Sequence, residues 1–440
     1  MEIIPIIFIL CICLALLLGY SVAFTLSGVS ILFALIGVVF GFFELKAFGF
    51  LPGRLYGIME NQTLLAVPLF VFMGVVLERS GVAANMLTGM AKAFAGVKSG
   101  LSISIVLVGA LLAASTGIVG ATVVTMGLMS LPLLIKQGYS KEFATGLVAS
   151  TGTLGQIIPP SIALVLLGDV MSNAYQEAKY SSSFQGTVSV GDLFIGAIVP
   201  GLLICAGYLI YSILANGSSN LKIDGDSGSK QELLQTLFPP ILLIMIVLGS
   251  IILGIATPTE AASIGALGAT IIAYFSSGLN LSLIKEVCYK TASVTTMIFT
   301  ILIGATIFSL IFKQIGGDEL VQQIFDAIPG DKYTALVVVL IAIFLFGFIL
   351  DFIEICYVII PLVAPPLLMM GFDPIWLGVL LAINLQTSFL TPPFGFSLFY
   401  LRGVADESIK TSEIYKGVIP FILIQLAILV LVILFPFIVL

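Results

Sequence analysis

Two proline pairs in apolar surroundings are where this sequence concentrates groups able to do chemistry. The first closes Thr151-Gly152-Thr153-Leu154-Gly155-Gln156-Ile157-Ile158-Pro159-Pro160-Ser161, and the second lies in Gln386-Thr387-Ser388-Phe389-Leu390-Thr391-Pro392-Pro393-Phe394. Proline has no N–H to donate, so carbonyls about one turn earlier lose their helical partners and must find another protein group, water or a cation. Thr151, Thr153, Ser161, Thr387, Ser388 and Thr391 set hydroxyl oxygens beside those carbonyls. Such a donor set suits a hard cation such as Na⁺ without needing a carboxylate. Either pair alone would read as a packing kink. Two of them in corresponding apolar segments favour an ion or substrate site.

A second group of candidates lies where a chain could reverse inside an apolar layer. Ala113-Ala114-Ser115-Thr116-Gly117-Ile118-Val119-Gly120-Ala121-Thr122 interrupts the apolar stretch 100–134. It is open to two readings: a helical hairpin turning at Ser115, Thr116 and Gly117, or a straight helix packed closely through its small residues. The matching place further on is Gly347-Phe348-Ile349-Leu350-Asp351-Phe352-Ile353-Glu354, a charged turn between apolar arms. Intramembrane carboxylates are costly, which makes Asp351 and Glu354 candidates for gating or coupling; a water-touching hairpin tip is the alternative. Glu260 follows Thr257-Pro258 and reads as the acidic first-turn residue of a helix capped by Thr257.

The elements that must position these residues are membrane helices. The chain has 440 residues, of which 60% are hydrophobic and only 9% charged, and its mean hydropathy is +1.22. Soluble domains carry about 25% charged residues. There is no histidine, which removes imidazole bases, His-ligated zinc and Ser-His-Asp triads. The five cysteines sit in apolar stretches as space-filling residues, and a net charge of −6 offers no basic surface to nucleic acid. An all-α polytopic protein in a lipid bilayer is the fold class.

A bilayer core needs about 20 apolar residues per crossing. That ruler gives roughly a dozen segments: 3–24, 26–43, 63–79, 100–134, 143–170, 193–215, 237–253, 255–276, 291–312, 333–360, 361–401 and 417–440. The first lacks a basic n-region and runs almost directly into the second, which favours a mature helix over a secretory signal. Residues 173–192 form a polar stretch found in one half only, and 216–232 is a Gly/Ser-rich polar linker at the centre of the chain. Around it the halves share a pattern. Leu131-Pro132-Leu133 leads to Pro159-Pro160, and Ile360-Pro361-Leu362 leads to Pro392-Pro393. The expected organisation is therefore a first repeat, 1–215, with a hairpin at about 100–134 and a broken helix at 143–170. A second repeat, 233–440, has its hairpin at about 333–360 and its broken helix at 375–401.

Taken in order, Gly152-Thr153-Leu154-Gly155, Ile158-Pro159-Pro160-Ser161, Ala256-Thr257-Pro258-Thr259-Glu260-Ala261-Ala262, then Asn384 with Leu390-Thr391-Pro392-Pro393, resemble the large permease (DctM-like) subunit of tripartite ATP-independent periplasmic (TRAP) transporters. The resemblance covers essentially the whole chain. It implies two inverted repeats in an elevator-type secondary transporter that carries Na⁺ and an organic acid anion, either a C4-dicarboxylate or a 2-oxo acid or other monocarboxylate. It also implies two partners, a small membrane subunit of about four helices and an extracytoplasmic solute-binding protein, and a place in the bacterial inner membrane. No enzymatic activity and no cofactor are implied; Na⁺ is the coupling ion. Carried over onto matching positions, the substrate and Na⁺ residues are Thr151, Gly152, Thr153, Gly155, Pro159, Ser161, Asn384, Thr387, Thr391 and Pro392. Ser115, Thr116 and Gly117 join them at the hairpin tip, where many relatives show a Ser-Gly-Ser type turn and this chain does not. The Ser-Thr-Gly tip and the 173–192 stretch look more like the branch associated with 2-oxo acids and related monocarboxylates.

Two other classes compete. A stand-alone sodium/anion symporter of the divalent-anion type would usually show Ser-Asn-Thr tips, of which Ser115-Thr116 is a partial echo. An intramembrane lipid-phosphate enzyme would need clustered acids at one membrane face, and Asp351 with Glu354 is too thin a cluster for that.

Overall fold

The computed structural model describes residues 3–94, 97, 99–180, 187–215 and 230–439, and every regular element among them is helical. Seven helices are long and apolar enough to cross a membrane, or eight if the pair Leu45–Glu60 and Thr63–Arg79, bent by 53°, counts as one span. Four more apolar helices, Ile3–Leu16, Gly100–Ala114, Lys332–Phe346 and Pro374–Leu390, are shorter. The dozen apolar segments of the sequence thus resolve into full spans and shorter pieces. Residues 216–229 of the polar linker and 181–186 of the polar stretch lie outside the described residues.

The chain begins with α1 (Ile3–Leu16) and α2 (Val22–Phe40), so the segment expected at 3–24 ends earlier and the chain turns at Gly19. Helices α3 (Leu51–Glu60), α4 (Ala66–Arg79) and α5 (Val82–Ala93) precede the first candidate region. There α6 (Gly100–Thr116) and α7 (Val119–Lys136) meet at a sharp turn. Gly117 has φ +59° and its N–H caps Ala113 O at 3.0 Å, a left-handed conformation that glycine enters without steric cost. Because α6 and α7 pack on each other, the 100–134 stretch folds as a hairpin rather than as one straight helix.

The first proline pair breaks the next helix. α8 (Lys141–Thr153) starts at Ser140, whose hydroxyl accepts from Phe143 N–H, and ends in a 3₁₀ turn, Leu154–Gln156; α9 (Ile162–Tyr180) resumes beyond the prolines. Then come α10 (Val190–Ala215), α11 (Lys230–Ile252) and α12 (Pro258–Ser277). The start of α12 is the cap read from the sequence: Thr257 Oγ accepts from Glu260 N–H, and Glu260 accepts from Thr257 N–H at 2.8 Å. α13 (Leu281–Gln314) runs for 34 residues, well beyond the apolar segment 291–312. A short amphipathic helix, α14 (Gly317–Ala327), leads to the second candidate region.

That region mirrors the first. α15 (Lys332–Phe346) reverses through Gly347–Leu350 into α16 (Phe352–Glu354), a π turn (Ile355–Ile359) and α17 (Ile360–Met369). α18 (Pro374–Leu390) is capped by Asp373 and broken at Thr391–Gly395 before α19 (Phe396–Val404); α20 (Thr411–Leu434) follows. The packing of the halves is reciprocal. The second hairpin arm α7 lies on α19, while its counterpart α17 lies on α9; α8 packs against α19, and α18 against α9. Each broken helix is thereby held partly by the other half of the chain.

Buried apolar side chains fall into two clusters. One gathers both hairpins and both broken helices with α4, α10, α12 and α20. The other is built from α1, α2 and the C-terminal half of α13, where Phe8 stacks on Phe308 at 5.4 Å and Phe308 on Phe312 at 5.7 Å. Large apolar side chains also face outward, with Phe40 76% and Phe275 81% exposed. Such surface is untenable in water and ordinary in lipid.

Within the larger cluster α8 and α20 touch backbone to backbone. A Cβ on Gly417 would come within 3.0 Å of Gly146 N and against the Glu142 carbonyl. Overpacking at such a site costs about 1–3 kcal/mol. Gly417→Val is expected to lower the unfolding temperature of the detergent-solubilised chain. Gly403→Ala, in an open position of α19, should leave it unchanged or raise it; equal losses in both would refute the assignment.

Candidate functional site

The two helix breaks are closed by serines. Ser161 Oγ donates to Gly155 O at 2.6 Å and sits where it also accepts from Leu164 N–H at 3.4 Å, bridging the gap and capping α9. Ser397 Oγ donates to Phe389 O at 2.8 Å across the second gap. Both serines are fully buried. A carbonyl freed by proline in hydrocarbon must be paired internally, and a hydroxyl from beyond the break meets that need. The Pro159–Pro160 and Pro392–Pro393 peptide bonds are both cis.

The threonines behave alike. Thr151 Oγ1 donates to Leu147 O, Thr153 to Ser150 O, Thr387 to Ile383 O and Thr391 to Thr387 O, at 2.5–2.8 Å. Each donated proton leaves the hydroxyl oxygen's lone pairs available as acceptors, so these groups present oxygens rather than hydrogens. Thr153 uses one lone pair internally, accepting from Gln386 Nε2 at 3.4 Å and so tying the first broken helix to the second. Asn384 is different. Its Nδ2 donates to Leu340 O of α15 at 2.9 Å, about two turns before the break. It ties a helix pair together and, like Thr151, Gly152, Thr153, Gly155, Pro159, Ser161, Thr387, Thr391 and Pro392, does not line the cavity described next; of the site candidates, Gly117 and Asp351 do.

Small residues bring the hairpin tip onto the break. A Cβ on Gly117 would approach Ile162 N to 2.7 Å, and one on Gly155 would approach Ala113 O to 3.0 Å. A Cβ on Gly152 would likewise come to 3.0 Å from the Cα of Val123 in α7. Backbone carbonyls at the end of α6 and at the break therefore share one small region. The side chains of Ser115 and Thr116 lie outside the described residues, so the tip is placed by its backbone alone.

Both tips, the first break and the end of α18 converge on a cavity of about 150 Å³. Gly117 and Gly120 come from the first tip, Gln156 from the first break, Asp351 from the second tip, and Phe389 from the end of α18. Val294, Met297 and Ile298 of α13 close one wall, and Tyr400 of α19 another. Gln156 is 1% exposed and its Oε1 has no hydrogen-bond partner. Buried amide oxygens are normally paired, which marks this as a position for a ligand donor, a cation or water.

Asp351 and Glu354 form a closed capping box at the start of α16. Asp351 Oδ1 accepts from Phe352 N–H at 2.6 Å, and Glu354 Oε2 accepts from Asp351 N–H at 2.8 Å. Their first role is thus to start the second arm; Asp351 also faces the cavity, whereas Glu354 is buried at 7% exposure and does not line it. Sequence reasoning missed four parts of the site. Ser397, Gln156 and Gln386 stood in or near the motifs, but their polar atoms matter for bonds that only the fold defines. The α13 wall carries no signal distinguishable from an ordinary apolar helix.

The two serine bridges make a prediction. Ser161→Ala and Ser397→Ala each leave a buried carbonyl unpaired and should each cost about 1–3 kcal/mol, read as a lower unfolding temperature in detergent. Ser388→Ala removes a hydroxyl bonded outside the breaks, to Phe344 O, and serves as the comparison. Equal stability of wild type and both bridge variants would sink the closure argument.

Known proteins share this architecture. The family model for the tripartite ATP-independent periplasmic transporter, DctM component, matches residues 7–438. The chain is 30% identical over 386 residues to the C4-dicarboxylate TRAP transporter large permease protein DctM of Rhodobacter capsulatus, covering 86% of each protein. It is also 30% identical over 429 residues to the ectoine TRAP transporter large permease protein TeaC of Halomonas elongata, covering 96% of this chain and 94% of that one. The crystal structure of the Alcanivorax borkumensis YdaH transporter superposes with a TM-score of 0.63 over 89% of each chain, at 13% identity, a likeness of fold alone. The chain belongs to the DctM component family of TRAP transporters, a family of transporter permeases and not of enzymes.

Proposed function

We propose that this large permease subunit couples the import of an organic acid anion to Na⁺. The anion is a C4-dicarboxylate, or a 2-oxo acid or other monocarboxylate, handed over by an extracytoplasmic solute-binding protein at the bacterial inner membrane. A small four-helix membrane subunit completes the assembly. The observation that carries this reading is the cavity at which both hairpin tips meet the first helix break and the end of α18. Corresponding broken segments are where secondary transporters hold substrate and ion, and the oxygens beside these breaks are hydroxyls and carbonyls, the ligands a monovalent hard cation accepts, set behind the cavity wall rather than in it. Relatives are named for C4-dicarboxylate, ectoine, sialic acid and isethionate, so the choice of a carboxylate among these solutes belongs to this reading.

Movement follows from packing in this reading. The two hairpins and two broken helices interlock reciprocally and travel as one body, while α1, α2 and the C-terminal half of α13, with their own apolar cluster, belong to the scaffold. An elevator-type displacement slides the first past the second. Glu354, buried beside the second tip, gates or couples that step together with Asp351.

Uptake into proteoliposomes holding this chain and its small subunit should require an inward Na⁺ gradient together with the cognate binding protein. Uptake without the binding protein would refute the tripartite reading in favour of a stand-alone symporter. Within the same assay, Thr391→Val keeps the side-chain shape but removes the hydroxyl at the second break. The Na⁺ concentration for half-maximal uptake should rise about tenfold, the equivalent of about 1.4 kcal/mol. An unchanged Na⁺ dependence removes Thr391 from the ligand set.

A further inference from the structure

A cavity of about 270 Å³ between the two apolar clusters has no polar atom in its wall. One side is built by Ile12 of α1, Leu26 of α2 and Phe308 of α13, all members of the smaller cluster. The other is built by the second hairpin, with Leu350 from its turn and Ile359 and Val363 from its second arm. A cavity lined by hydrocarbon and the weakly bonding Cys13 thiol offers water no strong hydrogen-bond partners, and an apolar cavity of about 150 Å³ already holds a benzene ring. This one is nearly twice as large. Van der Waals contacts are lost along both walls unless apolar matter fills it.

The rim of the cavity indicates what that matter is. Leu17 is 70%, Ile349 54% and Ile324 53% exposed; all three line the cavity and also face outward. The wall therefore runs without a polar break onto the surface that faces lipid. On one side the opening is bordered by α14, which turns Leu320, Val321 and Ile324 towards the cavity and carries Asp318, Glu319 and Asp326 elsewhere on the same short helix. An amphipathic helix of this kind lies at a membrane–water boundary, so the opening sits where acyl chains begin. We propose that this seam is a binding site for one acyl chain of a membrane phospholipid, which enters beside α14 and packs between Phe308 and Val358.

The inference needs only that the chain sits in a bilayer and stands independently of the coupling ion and the solute. The test uses the full chain reconstituted with its small subunit in vesicles of phosphatidylcholine, part of it carrying a photoactivatable diazirine in the middle of one acyl chain. Irradiation followed by peptide mass spectrometry reports which side chains the acyl chain touches. Phe308 at 3%, Val358 at 6% and Ile12 at 4% exposure are within reach only from inside the seam, whereas Leu14 at 57% reports the ordinary lipid-facing surface. Label is expected at Phe308, Val358 and Ile12 as well as at Leu14. Val358→Phe, which fills the cavity with an apolar ring, should remove label from Phe308 and Ile12 by at least about tenfold and leave Leu14 unchanged. Label confined to Leu14 and other outward residues overturns the proposal. Label at Phe308 that appears without the small subunit and vanishes on adding it also overturns it, by assigning the seam to that partner's side chains. Leu26→Phe fills the same space from α2 and serves should Val358→Phe fail to fold.

Discussion

Every polar backbone group at membrane depth has to be paired within the protein, and the architecture of this chain is arranged around the few places where its helices cannot do so. An unpaired carbonyl or amide in hydrocarbon costs several kcal/mol, so a break is tolerable only with a partner built in. Ser161 closes the first break onto Gly155 and Ser397 closes the second onto Phe389. The hairpin tips use the same economy, with the Gly117 N–H turned back to Ala113 O and the Asp351–Glu354 box covering the first amides of α16. Gln156 Oε1 remains unpaired, and it faces the cavity.

Reciprocal packing turns these local solutions into one mechanical unit. Since α7 rests on α19 and α17 rests on α9, neither hairpin can shift without carrying part of the opposite half. The Gln386 amide on Thr153 reinforces this at the level of single atoms by tying the two broken helices beside their breaks. Close backbone contacts do the same at larger scale: Gly146 against Gly417 leaves no room for a side chain between α8 and α20. The stacked phenylalanines of α1 and α13 form a second apolar body, which meets the first largely through apolar surface. Apolar surfaces attract without direction, and the ion pair of Lys313 in α13 with Glu177 in α9 adds a polar tie across this boundary.

How much of this was legible in the sequence depends on whether the physics is local. The helix breaks were visible because proline's missing N–H is a property of the residue, and the Thr257–Glu260 cap was visible because its partners are three positions apart. Long-range bonds were not. Ser161 directly follows its proline pair and stood among the candidates, whereas Ser397 lies four residues after Pro393 and did not, although both reach back to a carbonyl before the break. Asn384 entered the candidates through the family resemblance, and what its position in the sequence did not reveal is that its Nδ2 donates to Leu340 O of the neighbouring hairpin arm. The apolar ruler also cut α13 short, since its first turns carry Lys285, Glu286 and Lys290; the helix continues through them because charged residues lower hydropathy without breaking the backbone.

The scarcity of charge, 9% of the residues, gains a physical reason from the site. A cation site made of carboxylates leaves a buried negative charge behind whenever it empties, and uncompensated buried charge is among the most expensive states a protein can adopt. Hydroxyls and carbonyls carry dipoles only. A carrier that must cross the membrane both loaded and empty therefore keeps its empty form affordable by holding the ion with neutral oxygens, as the Thr and Ser hydroxyls around both breaks would under the proposed coupling. Asp351 is the acid in the cavity wall, and its carboxylate is met by the Phe352 N–H at the positive end of a helix. That pairing holds with or without a ligand, which lets one acid stay at the tip while the rest of the site remains neutral.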